Sequence, residues 1–320
     1  MHYDVFNGDA DGIIALLQLR WFEPKQSQLI TGVKRDIKLL QQVVTAGDAT
    51  SVTVLDISME KNSRDLNTLL SQFIDVFYCD HHRTGDIPNS KYLNANIDLD
   101  AEICTSLLIN NYLNNQFIHW AIVAAFGDNL NTIASTLAVE YGINQLDTEF
   151  LKELGTLINY NSYGASLSDL HIAPVVLYQQ LLMYPNPLLL REDKSSPYYL
   201  LKEGYAKDKK HTDELQPVYE SLSSRVYELP SEPWARRISG VFGNELANQR
   251  PDLAHAVLTL NSSRLDYTVS VRAPLNNRMG ADAVCCQFLT GGGRKAAAGI
   301  NALSLDDKIS FIEVLNRFYQ

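Results

Sequence analysis

The first hundred residues alternate two hydrophobic patterns. Short apolar runs rich in β-branched and aromatic residues recur, and stretches with helical spacing separate them. The runs predict strands over residues 2–7, 28–33, 51–57, 76–79 and 91–96. The intervening stretches predict helices over 11–22, 36–44, 63–73 and 101–113; Leu66, Leu69 and Leu70 share one stripe of the third. Such alternation implies an α/β fold with a mostly parallel, doubly wound sheet. From residue 118 to about 184 the pattern is mainly helical, interrupted at Gly127-Asp128-Asn129. Prolines, the charged run 207–210 and mixed helical signal read as a helical or irregular connection. From residue 238 the β pattern returns, with strands over 256–260 and 267–271 and a turn at Asn261-Ser262-Ser263. A helix over 281–288, three glycines and a closing helix over 305–318 complete a smaller α/β domain. The expected division is 1–184, a connection over 185–235, and 236–320, with a cleft between the two domains.

Acidic residues punctuate this pattern. Asp9 and Asp11 follow the first strand, Asp56 ends the third, and Asp80-His81-His82 ends the fourth. In a parallel sheet these ends lie on one edge, where open α/β sheets build their sites. Asp9-Ala10-Asp11-Gly12 also reads as a turn or helix cap, and Asp56 as an N-cap. Asp80-His81-His82 has fewer structural uses. Carboxylates crowded with imidazoles repel one another unless cations neutralise them. The set suits Mn²⁺ or Mg²⁺, and two such ions about 3.5 to 4 Å apart can share a hydroxide and clamp a phosphoryl group.

Composition narrows the partners. The chain of 320 residues is 46% hydrophobic and 20% charged, and its formal charge is −10. That balance argues against broad binding to long DNA. It leaves room for a short phosphorylated substrate held by bound cations and a few local bases. Cys79, Cys104, Cys285 and Cys286 form no C-x-x-C pair and read as buried, reduced thiols. The first strand starts almost at Met1, and no apolar run reaches the ~18 to 20 residues of a membrane span. The cytoplasm is the expected compartment, without membrane attachment, and a homodimer is left open.

These residues resemble the DHH phosphoesterase family, a superfamily that includes nanoRNases and RecJ-like nucleases. Asp9-Ala10-Asp11-Gly12 looks like its first motif, Asp56 its second, Asp80-His81-His82 its third and Gly127-Asp128 its fourth. Gly291-Gly292-Gly293-Arg294-Lys295 and the following alanines are similar to the glycine-rich motif of the associated DHHA1 domain, and Ser270-Val271-Arg272 to the strand before it. The resemblance implies two Mn²⁺ ions, with Mg²⁺ as the alternative. Asp9 would hold the first ion; Asp11, His81 and Asp128 the second; Asp56 would bridge them. His82 would face the substrate phosphate, with Asp80 orienting the histidines. Gly291, Gly292, Gly293, Arg272, Arg294 and Lys295 would bind the substrate. The implied activity is hydrolysis of phosphodiester or phosphomonoester bonds in short oligonucleotides, dinucleotides or nucleoside bisphosphates. The alternatives are a nucleotide- or RNA-binding relative with a decayed site and a RecJ-like single-strand exonuclease.

Two positions depart from the family pattern. Val5 stands where many relatives carry a histidine ligand of the first ion, with Asn7 nearby as a weak substitute. Arg294 stands where histidine usually follows the glycines; it keeps a charge for phosphate but no neutral imidazole. Lys34-Arg35, after the second strand, reads first as solvated surface, with reach to a substrate phosphate as the alternative. Residues 159–164 read as a polar helix end or a lining of the cleft, Asp169 and His171 as surface polarity, and the three tryptophans as core.

Overall fold

A computed structural model describes every residue from Met1 to Gln320. The contacts divide the chain into two compact units, Met1–Glu203 and Gly204–Gln320. No helix is long and apolar enough to cross a membrane.

The first unit begins β1 (His2–Phe6), α1 (Ala10–Phe22), β2 (Gln28–Ile30), α2 (Leu40–Ala46), β3 (Ser51–Leu55), α3 (Met59–Ser71), β4 (Asp75–Asp80) and β5 (Leu93–Ile97). The strands form one sheet in the order β2-β1-β3-β4-β5. Every neighbouring pair is parallel. The strand order reverses between β1 and β3, which opens a crevice beyond their carboxyl ends. Val5, Val52, Val54, Val76 and Tyr78 pack in one core with Leu40 and Val43 of α2 and Leu66, Leu69 and Leu70 of α3.

A helical layer follows: α4 (Thr105–Tyr112), α5 (Ile118–Gly127), α6 (Asn131–Glu140), α7 (Gln145–Ser162) and α8 (Pro174–Leu181). Helix α1 contacts α4, α5, α7 and α8, so residues Ala10 to Arg20 are all buried. Its start depends on Gly12, because a Cβ there would overlap the backbone of Asn7. Helix α5 stops as the sequence predicts: Asn129 adopts φ 61°, a left-handed residue after the last turn.

The second unit starts inside α9 (Pro197–Lys210) and continues β6 (Tyr219–Glu220), β7 (Ser224–Leu229), α10 (Pro233–Gln249), β8 (Ala254–Leu260), β9 (Asp266–Arg272), α11 (Ala281–Cys285), β10 (Gly291–Gly293), β11 (Ala297–Ser304) and α12 (Lys308–Tyr319). Its mixed sheet runs β10-β11-β9-β8-β7-β6. Strands β7 and β8 are parallel, and β8 and β9 form the expected hairpin.

Several expectations change here. The stretch read as a helical or irregular connection does hold the helix α9, but it also contains β7, an inner strand of the second sheet. The glycine run is neither loop nor free cradle. It is an edge strand, with Gly291 opposite Ile300 and Gly293 opposite Ala298. Gly291 donates its N–H to Phe288 O, and Arg294 to Ala297 O. A Cβ at residue 291 would overlap the Cys285 carbonyl, so glycine there serves packing. Cys79, Cys104 and Cys285 are buried as predicted, but Cys286 is exposed. Trp120 is core, Trp21 is half-buried, and Trp234 stacks on His211.

Candidate metal centre

The strand ends gather the acidic residues as the pattern predicts. Asp9 caps α1: its Oδ1 accepts the Gly12 N–H at 3.0 Å. Asp11, at the start of the same helix, is buried, and each of its oxygens accepts a backbone N–H at 2.7 Å, from Thr105 and Ser106 at the start of α4. These bonds fix the carboxylate and leave each oxygen a second lone pair. Asp56 ends β3 with φ 57°, a left-handed conformation costing about 1 kcal/mol or more for a non-glycine residue. Its backbone N–H donates to Cys79 O, and Thr105 Oγ1 donates to its Oδ1 at 3.2 Å.

His81 stands at the middle of this set. Its Nδ1 lies 2.7 Å from Ile103 O, a partner that only accepts, so the proton sits on Nδ1. In the neutral ring Nε2 is then the lone pair. It lies 3.4 Å from Asp56 Oδ1, 3.8 Å from Asp11 Oδ2 and 3.9 Å from Asp128 Oδ2. Asp128 comes from the turn that ends α5. Ligands of one ion held at about 2.1 Å are separated by distances of this size. One imidazole with three carboxylates is the donor set of a hard divalent cation. By donor type Asp11, Asp56, His81 and Asp128 suit one such ion, with His81 Nε2 the atom that all three carboxylates approach.

His82 serves differently. Its Nδ1 donates to Asp80 Oδ1 at 2.7 Å, leaving Nε2 as the ring's other polar atom. Asp80 thus holds the His82 ring through Oδ1, and its Oδ2 is buried without a hydrogen-bond partner. Ligand atoms of Asp56, His81 and His82 lie within 4.8 Å of one another.

The electrostatics record the crowding. Burial and then the charges of Asp11, Asp9, Asp80 and Asp128 push Asp56 well above the usual carboxylate range. Burial acts the same way on Asp80, but His82 beside it outweighs this and holds Asp80 low. Asp9 is also held low: burial opposes its charge, and Lys34 overrides burial.

Lys34 is the residue the sequence reading misplaced. Its ammonium pairs with Asp9 Oδ2, donates to Asn159 Oδ1 at 3.0 Å and lies 3.9 Å from Asp128 Oδ1. Asp9, expected on a first metal ion, thus has both oxygens engaged by protein groups. Residues 159–162 form the buried last turn of α7, and Ser162 O accepts the Lys34 N–H. The available signal was position: Lys34 follows β2 at the same sheet edge as the aspartates. Asp169 and His171 do not join the carboxylates in these bonds. Asp169 accepts the Ala165 N–H, and His171 Nε2 bonds Tyr160 Oη at 2.7 Å.

In the second unit, the expected substrate residues converge on one end of the sheet. Arg272 lies opposite Ala297, and the β10–β11 turn carries Arg294 and Lys295. Arg272 donates from Nε to Asn244 Oδ1 at 2.6 Å, from Nη1 to Ser270 Oγ and Val271 O, and from Nη2 to Gly240 O.

No protein-family model matches the chain, and no curated protein matches its sequence. Solved structures match its fold. An exonuclease RecJ bound to manganese is 16% identical, with a TM-score of 0.57, over 99% of this chain and 89% of that one. RecJ in complex with Mn²⁺ from Thermus thermophilus is also 16% identical, with a TM-score of 0.61, over 99% of this chain and 52% of that one. The chain spans about half the length of that Thermus protein. The pGpG-specific phosphodiesterase PggH from Vibrio cholerae is 10% identical, with a TM-score of 0.52, over 98% of this chain and 99% of that one. The chain shares the fold of these RecJ structures and of PggH.

Proposed function

We propose that this protein is a divalent-metal-dependent phosphoesterase that hydrolyses short oligonucleotides or small nucleotides. The observation that carries this reading is His81 Nε2 facing Asp11, Asp56 and Asp128. Gathering three carboxylates around one imidazole is costly without a cation to neutralise them. Mn²⁺ is the favoured ion, because the RecJ neighbours were solved with it and the donor set suits it. A bound ion would lower the pKa of water and neutralise phosphoryl oxygens. Asp11, Asp56, His81 and Asp128 would hold it, with Asp11 kept rigid by the start of α4. His82, aligned by Asp80, would offer Nε2 to the phosphate or leaving group. The positive end of the second sheet, with Arg272, Arg294 and Lys295, would supply the grip on a nucleotide phosphate. The two-ion plan of the family is the starting point for the ion count. The cytoplasm is the compartment that fits reduced thiols.

A binding protein without turnover is the second reading, favoured by the ion pair of Asp9 with Lys34. A single experiment separates the two. The purified chain is incubated with Mn²⁺ and a panel of pGpG, other linear dinucleotides, short RNAs, long single-stranded DNA and nucleoside bisphosphates. Products are resolved by chromatography. Mononucleotide or phosphate release from the short substrates is the expected result. Binding of the panel with no product at any Mn²⁺ concentration would leave the second reading standing.

A further inference from the structure

We infer that the ammonium of Lys34 takes the place of the first of the two ions, so that the centre is built for one divalent cation and one resident lysine. The inference rests on the metal-centre reading above and specifies its composition. Each group in reach of a first ion lacks a ligand atom or already faces the lysine or a backbone partner. Val5 is fully buried in the core between the sheet and its helices and has no ligand atom. Asn7 Oδ1 accepts the Asp9 N–H at 3.2 Å, and its amide nitrogen lies 3.4 Å from Lys34 O. Asp9 gives one oxygen to the Gly12 N–H and the other to Lys34.

The lysine is built in from both sides. Its N–H is tied to Ser162 O at 2.9 Å, and its ammonium lies among oxygens of Asp9, Asn159 and Asp128. Three oxygens from three separate elements surround it, as they would surround a cation ligand for ligand. The Tyr163 ring adds a face 5.5 Å from Nζ. Asp128 is the link between the two positions, since Oδ1 turns toward Lys34 and Oδ2 toward His81. A lysine is a compact point charge with three donors, able to steady a phosphoryl oxygen without an exchangeable ion.

The test counts ions. The full chain is equilibrated with excess Mn²⁺, and bound metal is measured by calorimetry and by elemental analysis after gel filtration. Electron paramagnetic resonance reports whether the ions are spin-coupled. The expected result is one Mn²⁺ per chain with an uncoupled signal. Lys34→Ala exposes Asp9, Asn159 and Asp128 oxygens, and a second, weaker ion is expected with a coupled spectrum. His81→Ala is expected to bind less Mn²⁺ than the unaltered chain. Two coupled ions in the unaltered chain would overturn this inference and leave the phosphoesterase reading intact. No bound ion would overturn both. A folded Lys34→Ala chain that still takes one ion would show that the lysine is not what excludes the second.

Discussion

At the scale of single residues, the centre is decided by which proton sits where. His81 donates from Nδ1 to Ile103 O, which turns Nε2 toward the carboxylates and suits it to the proposed ligand role. His82 donates from Nδ1 to a carboxylate instead, which fixes the plane of its ring. These neighbouring histidines, 4.6 Å apart by ring centroid, therefore do different work. Asp80→Asn is expected to lower turnover by about 10- to 100-fold, the range in which orienting partners act. Mn²⁺ stoichiometry should stay unchanged, because Asp80 is not among the oxygens around His81 Nε2. Steady-state kinetics beside a metal titration checks this; a loss of metal would make Asp80 a ligand. Asp56→Ala should instead lose both metal affinity and turnover. The placement of most of these residues was legible in the sequence, since an acidic residue closing an apolar run marks a strand end. Lys34 was not. It follows a three-residue, half-buried strand, and a lysine beside an arginine carries the pattern of solvated surface.

At the scale of elements, the opposite edge of the first sheet shows how the strands are fastened. Arg20 of α1 donates from Nε to Asp4 Oδ2 at 2.9 Å and from Nη2 to Asp4 Oδ1 at 2.5 Å, and Ser27 adds a bond at 2.6 Å. Arg20 Nη2 also reaches Thr53 Oγ1 on β3 at 3.3 Å. One helix and two strands are thereby joined through a fully buried carboxylate. Burial alone would raise the Asp4 pKa, but Arg20, His2 and Ser27 outweigh it and hold the group at about 2, from 3.8. A depressed carboxylate contributes stability above the unfolded value near pH 4, and the contribution is lost as pH falls through about 2. The size is about 2 kcal/mol by linkage. Asp4→Asn should flatten the acid limb of a pH-dependent urea titration between about pH 4 and 2. It should also cost about 3 kcal/mol at neutral pH, because Arg20 is left buried without its partner. An unchanged acid limb would assign the acid sensitivity to other carboxylates. Elements were less legible where local preference and final pairing disagree. Glycine is a poor strand former, yet residues 291–293 pair because β11 offers an edge. Strand β7, Ser-Arg-Val-Tyr-Glu-Leu, lacks a polar–apolar alternation and runs into Pro230, and its burial comes from α12 and β8, partners the local pattern does not reveal.

At the scale of the whole molecule, the charge of −10 and the positive end of the second sheet act in opposite senses. The net charge weakens attraction to a long polyanion, while Arg272, Arg294 and Lys295 would, on the proposed reading, grip one or two phosphates. A preference for short substrates is the expected outcome of that contrast. It makes the second unit testable apart from the metal ligands. Lys295 is exposed, so Lys295→Ala removes a charge at little structural cost. Arg272 is different, because its guanidinium joins β9 to α10 through Asn244 and Gly240. Arg272→Ala should therefore raise KM for a dinucleotide by about tenfold or more and also lower the melting temperature. Lys295→Ala should raise KM by a few-fold with the melting temperature unchanged. Both variants should bind Mn²⁺ as the unaltered chain does. The KM effect should shrink as salt rises, since it is a contact between charges. If Lys295→Ala leaves KM untouched at low salt and Arg272→Ala changes KM only in step with stability, the positive end of the sheet is a structural feature, and the substrate grip lies elsewhere in the chain.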